Sequence, residues 1–97
     1  MNRESLNLKW GESLEKLKKF LPLVCRVHGS EHPEIFEVSE LYNQISENIS
    51  KEDFEPSEIF FRLRELTNNY SAPADTCVTY EAVYNMLSEL DAAYFEN

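Results

Sequence analysis

Glycine and long apolar runs are scarce in this chain of 97 residues, which contains only two glycines. Alternation of apolar and polar residues, the pattern of a half-buried strand, is also rare, and helical periodicity dominates. No apolar run approaches the roughly 20 residues that a membrane-spanning helix needs. The first residues also lack the basic-then-apolar layout of a signal peptide. We therefore expect a helical protein that does not enter a membrane.

Cysteine is equally rare. Cys25 and Cys77 are far apart, and no Cys-x-x-Cys spacing occurs. Two such residues do not make a disulfide framework, and they are compatible with a reducing compartment. The sequence therefore predicts a cytoplasmic protein in which both thiols are small core residues rather than redox centres.

Basic residues are outnumbered, since 18 acidic against 9 basic side chains give a net charge of −9. The only dense basic patch is Lys16, Lys18 and Lys19, and Glu12 and Glu15 lie beside it on the same predicted helix. Spacings of four between acid and base are typical of a solvated helix face. Binding to a phosphate backbone needs clustered cations, so we do not expect a nucleic-acid partner.

A first amphipathic helix is predicted from Ser5, whose side chain can cap it. Its apolar stripe has three-to-four spacing and comprises Leu6, Trp10, Leu14, Leu17 and Leu21. Pro22 removes a backbone donor, so a bend or break is expected near Leu21. The apolar pattern then resumes until Gly29, which favours the end of a helix.

Three further helices are predicted, the second with Pro33 in its first turn, the third beginning near Ser57, and the last capped by Asp75 or Thr76. Residues 67–73 are rich in turn formers and predict a loop. The predicted buried positions are Phe36 or Ile35, Val38, Leu41, Tyr42, Ile45 and Ile49, then Ile59, Phe60, Leu63 and Leu66, then Cys77, Tyr80, Val83, Tyr84, Leu87, Leu90 and Tyr94. Four amphipathic segments with short connections predict an all-α, antiparallel four-helix bundle, with residues 1–97 as one domain.

Two stretches resemble a known family. Residues 27–34 read V-H-G-S-E-H-P-E, and residues 63–70 read L-R-E-L-T-N-N-Y, followed by a helix that closes on Glu96-Asn97. Both are similar to segments of the hemerythrin-like part of the iron–sulfur cluster repair proteins. The resemblance implies a hemerythrin-like bundle. It also implies two non-haem irons between the helices, and a role in restoring clusters damaged by oxidative or nitrosative stress.

The ligand set that this resemblance implies is largely missing. A centre of this type uses about five imidazoles and two bridging carboxylates from all four helices, whereas this chain has two histidines. Carried over by position, the candidate metal ligands are His28, Glu52 and Glu96. Ala92 and Tyr94 stand where the family has histidines, and they would fill the volume of the metal pocket.

Two functional hypotheses follow. The first is a non-catalytic, hemerythrin-derived module with a degenerate metal site, which acts by self-association or on a protein partner and needs no cofactor. The second is an iron-binding repair or stress-sensing protein whose reduced site holds non-haem iron or is shared across a dimer. Simpler roles are that His28 points a ring nitrogen at a backbone carbonyl near Gly29, and that Glu52 belongs to a solvated acidic run. No nucleophile elbow or phosphate loop occurs, so we do not expect an enzyme.

Overall fold

A computed structural model describes the backbone of residues 3–95 and the side chains of residues 11–95. It contains four helices, α1 (Arg3–His28), α2 (Glu34–Asn48), α3 (Ser57–Thr67) and α4 (Val78–Phe95). The described residues include no strand. The chain is a four-helix bundle, which confirms the predicted fold class. Among the described helices, none combines the length and apolarity that crossing a lipid bilayer requires.

Contacts between α1 and α2 establish their antiparallel packing. The Tyr42 hydroxyl donates to the carbonyl oxygen of Leu14. Near the other end, the Cys25 thiol lies 3.7 Å from the carbonyl oxygen of Ile35. Residues later in α1 therefore meet residues earlier in α2, as in a helical hairpin.

Helix α4 packs antiparallel to both α1 and α3. Its first turn lies beside the end of α1, where the Tyr80 ring meets the His28 ring at a centroid distance of 5.3 Å. Its last turn lies beside the start of α3, where Tyr94 stacks on Phe60 at 5.4 Å. The bundle thus has two ends, one formed by residues 28–33 and 75–80 and the other by residues 49–57 and the end of α4.

The core is made of aliphatic and tyrosine side chains, and the helical periodicity predicted most of it. Ile35 is buried, while Phe36 is 55% exposed, so the first of the two alternatives at the start of α2 is wrong. Cys77 is also exposed, because it precedes α4 instead of belonging to its inner face. The buried apolar residues are Leu14, Leu17, Leu21, Val24, Ile35, Val38, Tyr42, Ile45, Ile49, Phe60, Leu63, Tyr80, Val83, Tyr84, Leu87, Leu90 and Tyr94.

The beginning and middle of α1 differ from the prediction. The helix begins at Arg3, so Ser5 lies within it and is not its cap. Pro22 lies inside the helix, which continues without a break to His28. Pro22 faces solvent, while Leu21 and Val24 on either side of it are buried. We attribute the continuity of α1 to this burial, which offsets the loss of one backbone hydrogen bond. The Leu6 and Trp10 side chains lie outside the described residues.

The ends of the other helices also shift slightly. Pro33 is the residue before α2, whose first helical residue is Glu34. Helix α4 begins at Val78, and the Thr76 hydroxyl donates to the carbonyl oxygen of Pro73, so neither Thr76 nor Asp75 caps this helix. The Thr76 side chain bonds to nearby backbone instead of capping the helix. The Asp75 carboxylate instead bonds to the His32 ring.

Loop residues after α3 adopt left-handed backbone conformations, at φ 51° for Asn68, 58° for Asn69 and 63° for Tyr70. The Asn69 N–H donates to the carbonyl oxygen of Arg64 and closes the end of the helix. The Tyr70 N–H donates to the Thr67 hydroxyl. The predicted loop is therefore an ordered turn that carries Tyr70 back towards α4.

The two glycines are expected to respond in opposite ways to alanine. A methyl group on Gly29 would overlap the Phe36 ring and the carbonyl oxygen of Cys25, whereas one on Gly11 would meet no atom within 4 Å. We expect Gly29→Ala to lower the free energy of unfolding by about 1–3 kcal/mol through overpacking. Gly11→Ala should raise it by about 0.5–1 kcal/mol, because alanine is the better helix former.

Urea denaturation followed by circular dichroism measures both changes. Equal effects of the two substitutions would contradict the close packing at the turn between α1 and α2.

Candidate functional site

His28 is the last residue of α1 and lies at one end of the bundle. Its Nε2 is 3.3 Å from the Sγ of Cys77, the residue just before α4. Its ring packs perpendicular to the Tyr80 ring, at an interplanar angle of 90°. The expected contact with a backbone carbonyl is therefore replaced by a contact with a thiol, because the start of α4 packs against the end of α1.

His32 follows in the turn between α1 and α2, and it binds a carboxylate from the same loop before α4. Its Nε2 lies 3.0 and 3.2 Å from the two carboxylate oxygens of Asp75. Its Nδ1 is 3.6 Å from a carboxylate oxygen of Glu34 in the first turn of α2. The His32 ring also meets the Tyr80 ring, with centroids 5.9 Å apart. Both imidazoles of the chain therefore lie around one buried tyrosine.

We call His28, His32, Asp75 and Cys77 the helix-end cluster. Its polar contacts are pairwise: one imidazole with the thiol, and the other with the carboxylate. Within the described part of the chain, no three histidine, cysteine, aspartate or glutamate side chains converge in a way that could hold a metal ion. The helix-end cluster is therefore a pair of dyads and does not form a coordination sphere.

Two of the predicted metal ligands, His28 and Glu52, lie in different parts of the described chain. Glu52 lies exposed in the connection between α2 and α3, with Asp53 and Glu55 also exposed. His28 precedes α2, and Glu52 follows it. Because α2 has 15 residues, it holds the two ends of the bundle about 22 Å apart. The structure does not bring His28 and Glu52 together, and Glu96 lies outside the described residues.

The interior near the helix-end cluster is closed by tyrosines. The Tyr80 and Tyr84 hydroxyls lie 3.1 Å apart, one turn from each other on α4, and both side chains are buried. Burial is the largest cause that raises the pKa of each of these phenols. The pair therefore remains protonated at neutral pH, with the hydroxyl groups bonded to each other.

Ala92 and Tyr94, which stand where the similar family has histidines, lie on different faces of α4. Tyr94 is buried, and its hydroxyl lies 3.4 Å from both the Ser57 hydroxyl and a Glu55 carboxylate oxygen. Ala92 is exposed. Tyr94 thus fills interior volume, as predicted. Ala92 does not, because two residues along a helix change the direction of the side chain by about 200°.

One charged network was missed by the sequence analysis. Asp91 is only 4% exposed and accepts hydrogen bonds from Arg64 Nε at 2.8 Å, Arg64 Nη2 at 2.6 Å and the Tyr70 hydroxyl at 2.6 Å. Burial and the neighbouring carboxylate both raise the pKa of Tyr70. The signal in the sequence is the spacing Tyr84, Leu87, Asp91, which places an acid on the buried stripe of α4.

A surface cavity of about 350 Å³ lies beside this network. The residues that line it, besides Asp91, are Arg64, Asn69, Tyr70, Ser88, Ala92 and Phe95. Every oxygen of the Asp91 carboxylate is already bonded, and Arg64 is the cation that balances it. The network therefore joins α3, the following turn and α4, and pairs its two opposite charges with each other.

The chain is similar to a curated protein. The iron–sulfur cluster repair protein ScdA of Staphylococcus haemolyticus (strain JCSC1435) is 22% identical to this chain, over 89% of this chain and 54% of ScdA. The chain thus spans about half the length of this curated relative. No family model matches the sequence, and no solved structure matches it. The similarity indicates a distant relation to the repair proteins.

We expect the Arg64–Asp91 pair to matter more for stability than a similar pair at the surface. Arg64→Met leaves a buried carboxylate without its cation. We expect this variant to lower the free energy of unfolding by about 2 kcal/mol. The effect is moderated because the Arg64 side chain is 38% exposed. The control is Arg62→Met, which breaks an equally well-formed pair with Glu37. Because the Arg62 and Glu37 side chains are both about half exposed, we expect Arg62→Met to lower the free energy of unfolding clearly less.

Thermal unfolding of the two variants, under identical buffer conditions, checks this prediction. An Arg64→Met protein as stable as Arg62→Met would contradict the structural role assigned to Asp91.

Proposed function

We propose that this chain is a hemerythrin-like bundle, related to the iron–sulfur cluster repair proteins, whose di-iron site has degenerated and whose function is non-catalytic. It acts through its surface, either on a protein partner or on a second copy of itself. The retained features are the four helices, the V-H-G turn and the loop after α3. The lost features are the metal ligands that such a bundle carries inside.

The composition of the interior carries this proposal. Among the described side chains, the buried polar or charged residues are Thr67 and Asp91. The Thr67 hydroxyl donates to the carbonyl oxygen of Leu63, and Asp91 is saturated by Arg64 and Tyr70. Both imidazoles lie at one end of the bundle, outside this interior. The side chains of residues 11–95 therefore do not fit a di-iron centre, which needs several imidazoles and carboxylates between the helices.

Tyrosine packing explains how such a bundle is stable without iron. A metal centre normally links the helices that supply its ligands and contributes directly to folding. Here Tyr42, Tyr80, Tyr84 and Tyr94 occupy buried positions, and each hydroxyl lies within hydrogen-bond distance of a partner. Large buried aromatic groups supply apolar contact, and the partnered hydroxyls avoid the cost of burying an unpaired polar group.

Exposed apolar side chains support an interaction role. Large apolar residues occur at the surface of every helix in the described part of the chain. They are Leu23, Val27, Phe36, Phe61, Val78 and Phe95. Exposed aromatic residues are enriched where proteins bind each other. With a net charge of −9, the long-range attraction is towards basic partners.

Iron binding tests the proposal. The purified protein is loaded anaerobically with Fe(II), passed through a desalting column and analysed for iron per chain. We expect far less than one tightly held iron, and the same result for His28→Ala. We also expect a melting temperature that Fe(II) does not change, because a ligand that fails to bind the native state cannot stabilise it.

Two outcomes would overturn the proposal. Two tightly bound irons per chain would show an intact centre. An iron-dependent dimer in sedimentation analysis, lost in His28→Ala, would instead support the alternative of a metal-dependent repair or sensing protein that completes its site between two copies.

A further inference from the structure

The two thiols of this chain lie in opposite surroundings. Cys25 is partly buried within α1, and its thiol is directed at the carbonyl oxygen of Ile35. Burial raises the pKa of this thiol. Cys77 is exposed and lies just before α4, where its own carbonyl oxygen accepts the Glu81 N–H at 3.1 Å. A small reagent in solution can therefore reach Cys77 more easily than Cys25.

Cys77 also has a base within reach. Its Sγ lies 3.3 Å from His28 Nε2, although the two residues are 49 positions apart in the sequence. The His28 ring packs perpendicular to the ring of Tyr80, which is fully buried, and its position at the end of α1 also fixes its place. A nucleophile, a base in contact with it and a third group that orients the base form the arrangement that activates cysteine in proteins.

The neighbouring charged groups are already paired. Asp75, two residues before Cys77, is bonded to His32, and Glu34 lies on the other side of the His32 ring. The Asp75 carboxylate thus already has an imidazole as its hydrogen-bond partner. On the other side of Cys77, Val78 is 82% exposed and leaves an open approach from solvent. The Cys77 sulfur is therefore both open to solvent and in contact with the His28 imidazole.

We propose that Cys77 is a thiol-modification site that reacts with low-molecular-weight disulfides, with His28 as the base that accepts its proton. The Cys77 sulfur attacks one sulfur of the disulfide, a new S–S bond forms and the S–S bond of the reagent breaks. The other sulfur of the reagent departs as a thiolate, and the proton on His28 passes to this thiolate or to water. The products are a protein mixed disulfide and one small thiol, so atoms and electrons balance without a further oxidant.

This site is separate from the proposed function and needs no metal. Formation of the mixed disulfide uses the sulfur that contacts His28 and places a new group at the end of the bundle where α1, α2 and α4 meet. The modified state therefore differs from the free thiol on the surface that surrounds the helix-end cluster.

The experiment measures the rates of both cysteines with the chromogenic disulfide DTNB, in EDTA, so that iron binding does not enter. Cys25→Ser and Cys77→Ser variants isolate each thiol. Each rate is divided by the rate of the same variant unfolded in urea at the same pH. We expect a ratio of roughly ten for Cys77 and well below one for Cys25, because activation and burial have opposite effects on thiol reactivity.

His28→Gln in the Cys25→Ser background tests the role of the imidazole, and mass spectrometry with oxidised glutathione identifies the modified residue. We expect the native rate of Cys77 to fall several-fold in this variant while circular dichroism remains unchanged. His32→Gln is the matched control and should leave the rate within about twofold. A native rate of Cys77 at or below its unfolded rate, or one indifferent to His28→Gln in a folded protein, would overturn the proposal.

Discussion

Tyr80 is the side chain on which the rest of this structure depends, because it faces both the core and the helix-end cluster. Its hydroxyl lies 3.1 Å from the Tyr84 hydroxyl in the interior, and its ring supports His28 on one side and His32 on another. A buried phenol needs a partner for its hydroxyl, and Tyr84 provides one without any contribution from an imidazole or a carboxylate. With this volume occupied, both histidines remain at the end of the bundle. There they bind Cys77 and Asp75.

The same constraint is the reason why we propose that this bundle folds without a metal. A bundle that surrounds two irons must keep several polar groups inside and relies on the metal to balance them. Within the described side chains, this bundle keeps one buried charge, and Arg64 and Tyr70 satisfy it locally. Its interior thus obeys the ordinary rule that buried polar groups are hydrogen-bonded. The distant similarity to ScdA, together with this interior, is why we propose a relative that has kept the scaffold and changed what the scaffold does.

The sequence predicted the helices and most of the core, because apolar spacing of three and four residues reports directly on burial. It was less informative where two neighbouring apolar residues compete, as with Ile35 and Phe36, since only packing decides which one faces inward. Pro22 was expected to interrupt α1, but Leu21 and Val24 hold both halves of the helix to the same core. For the candidate site, the histidine count predicts a degenerate centre, and this stays a prediction. The contacts His28–Cys77 and Arg64–Asp91 could not be predicted, since they join residues 49 and 27 positions apart.

The central claim is that the space between the helices is filled by the protein's own side chains and holds no pair of irons. Crystals grown anaerobically with excess Fe(II), measured at the iron absorption edge, test this most directly. We expect no anomalous peak between the helices and continuous density for the Tyr80–Tyr84 pair. Two strong peaks about 3.5–4 Å apart inside a single chain, with these tyrosines displaced, would contradict the account.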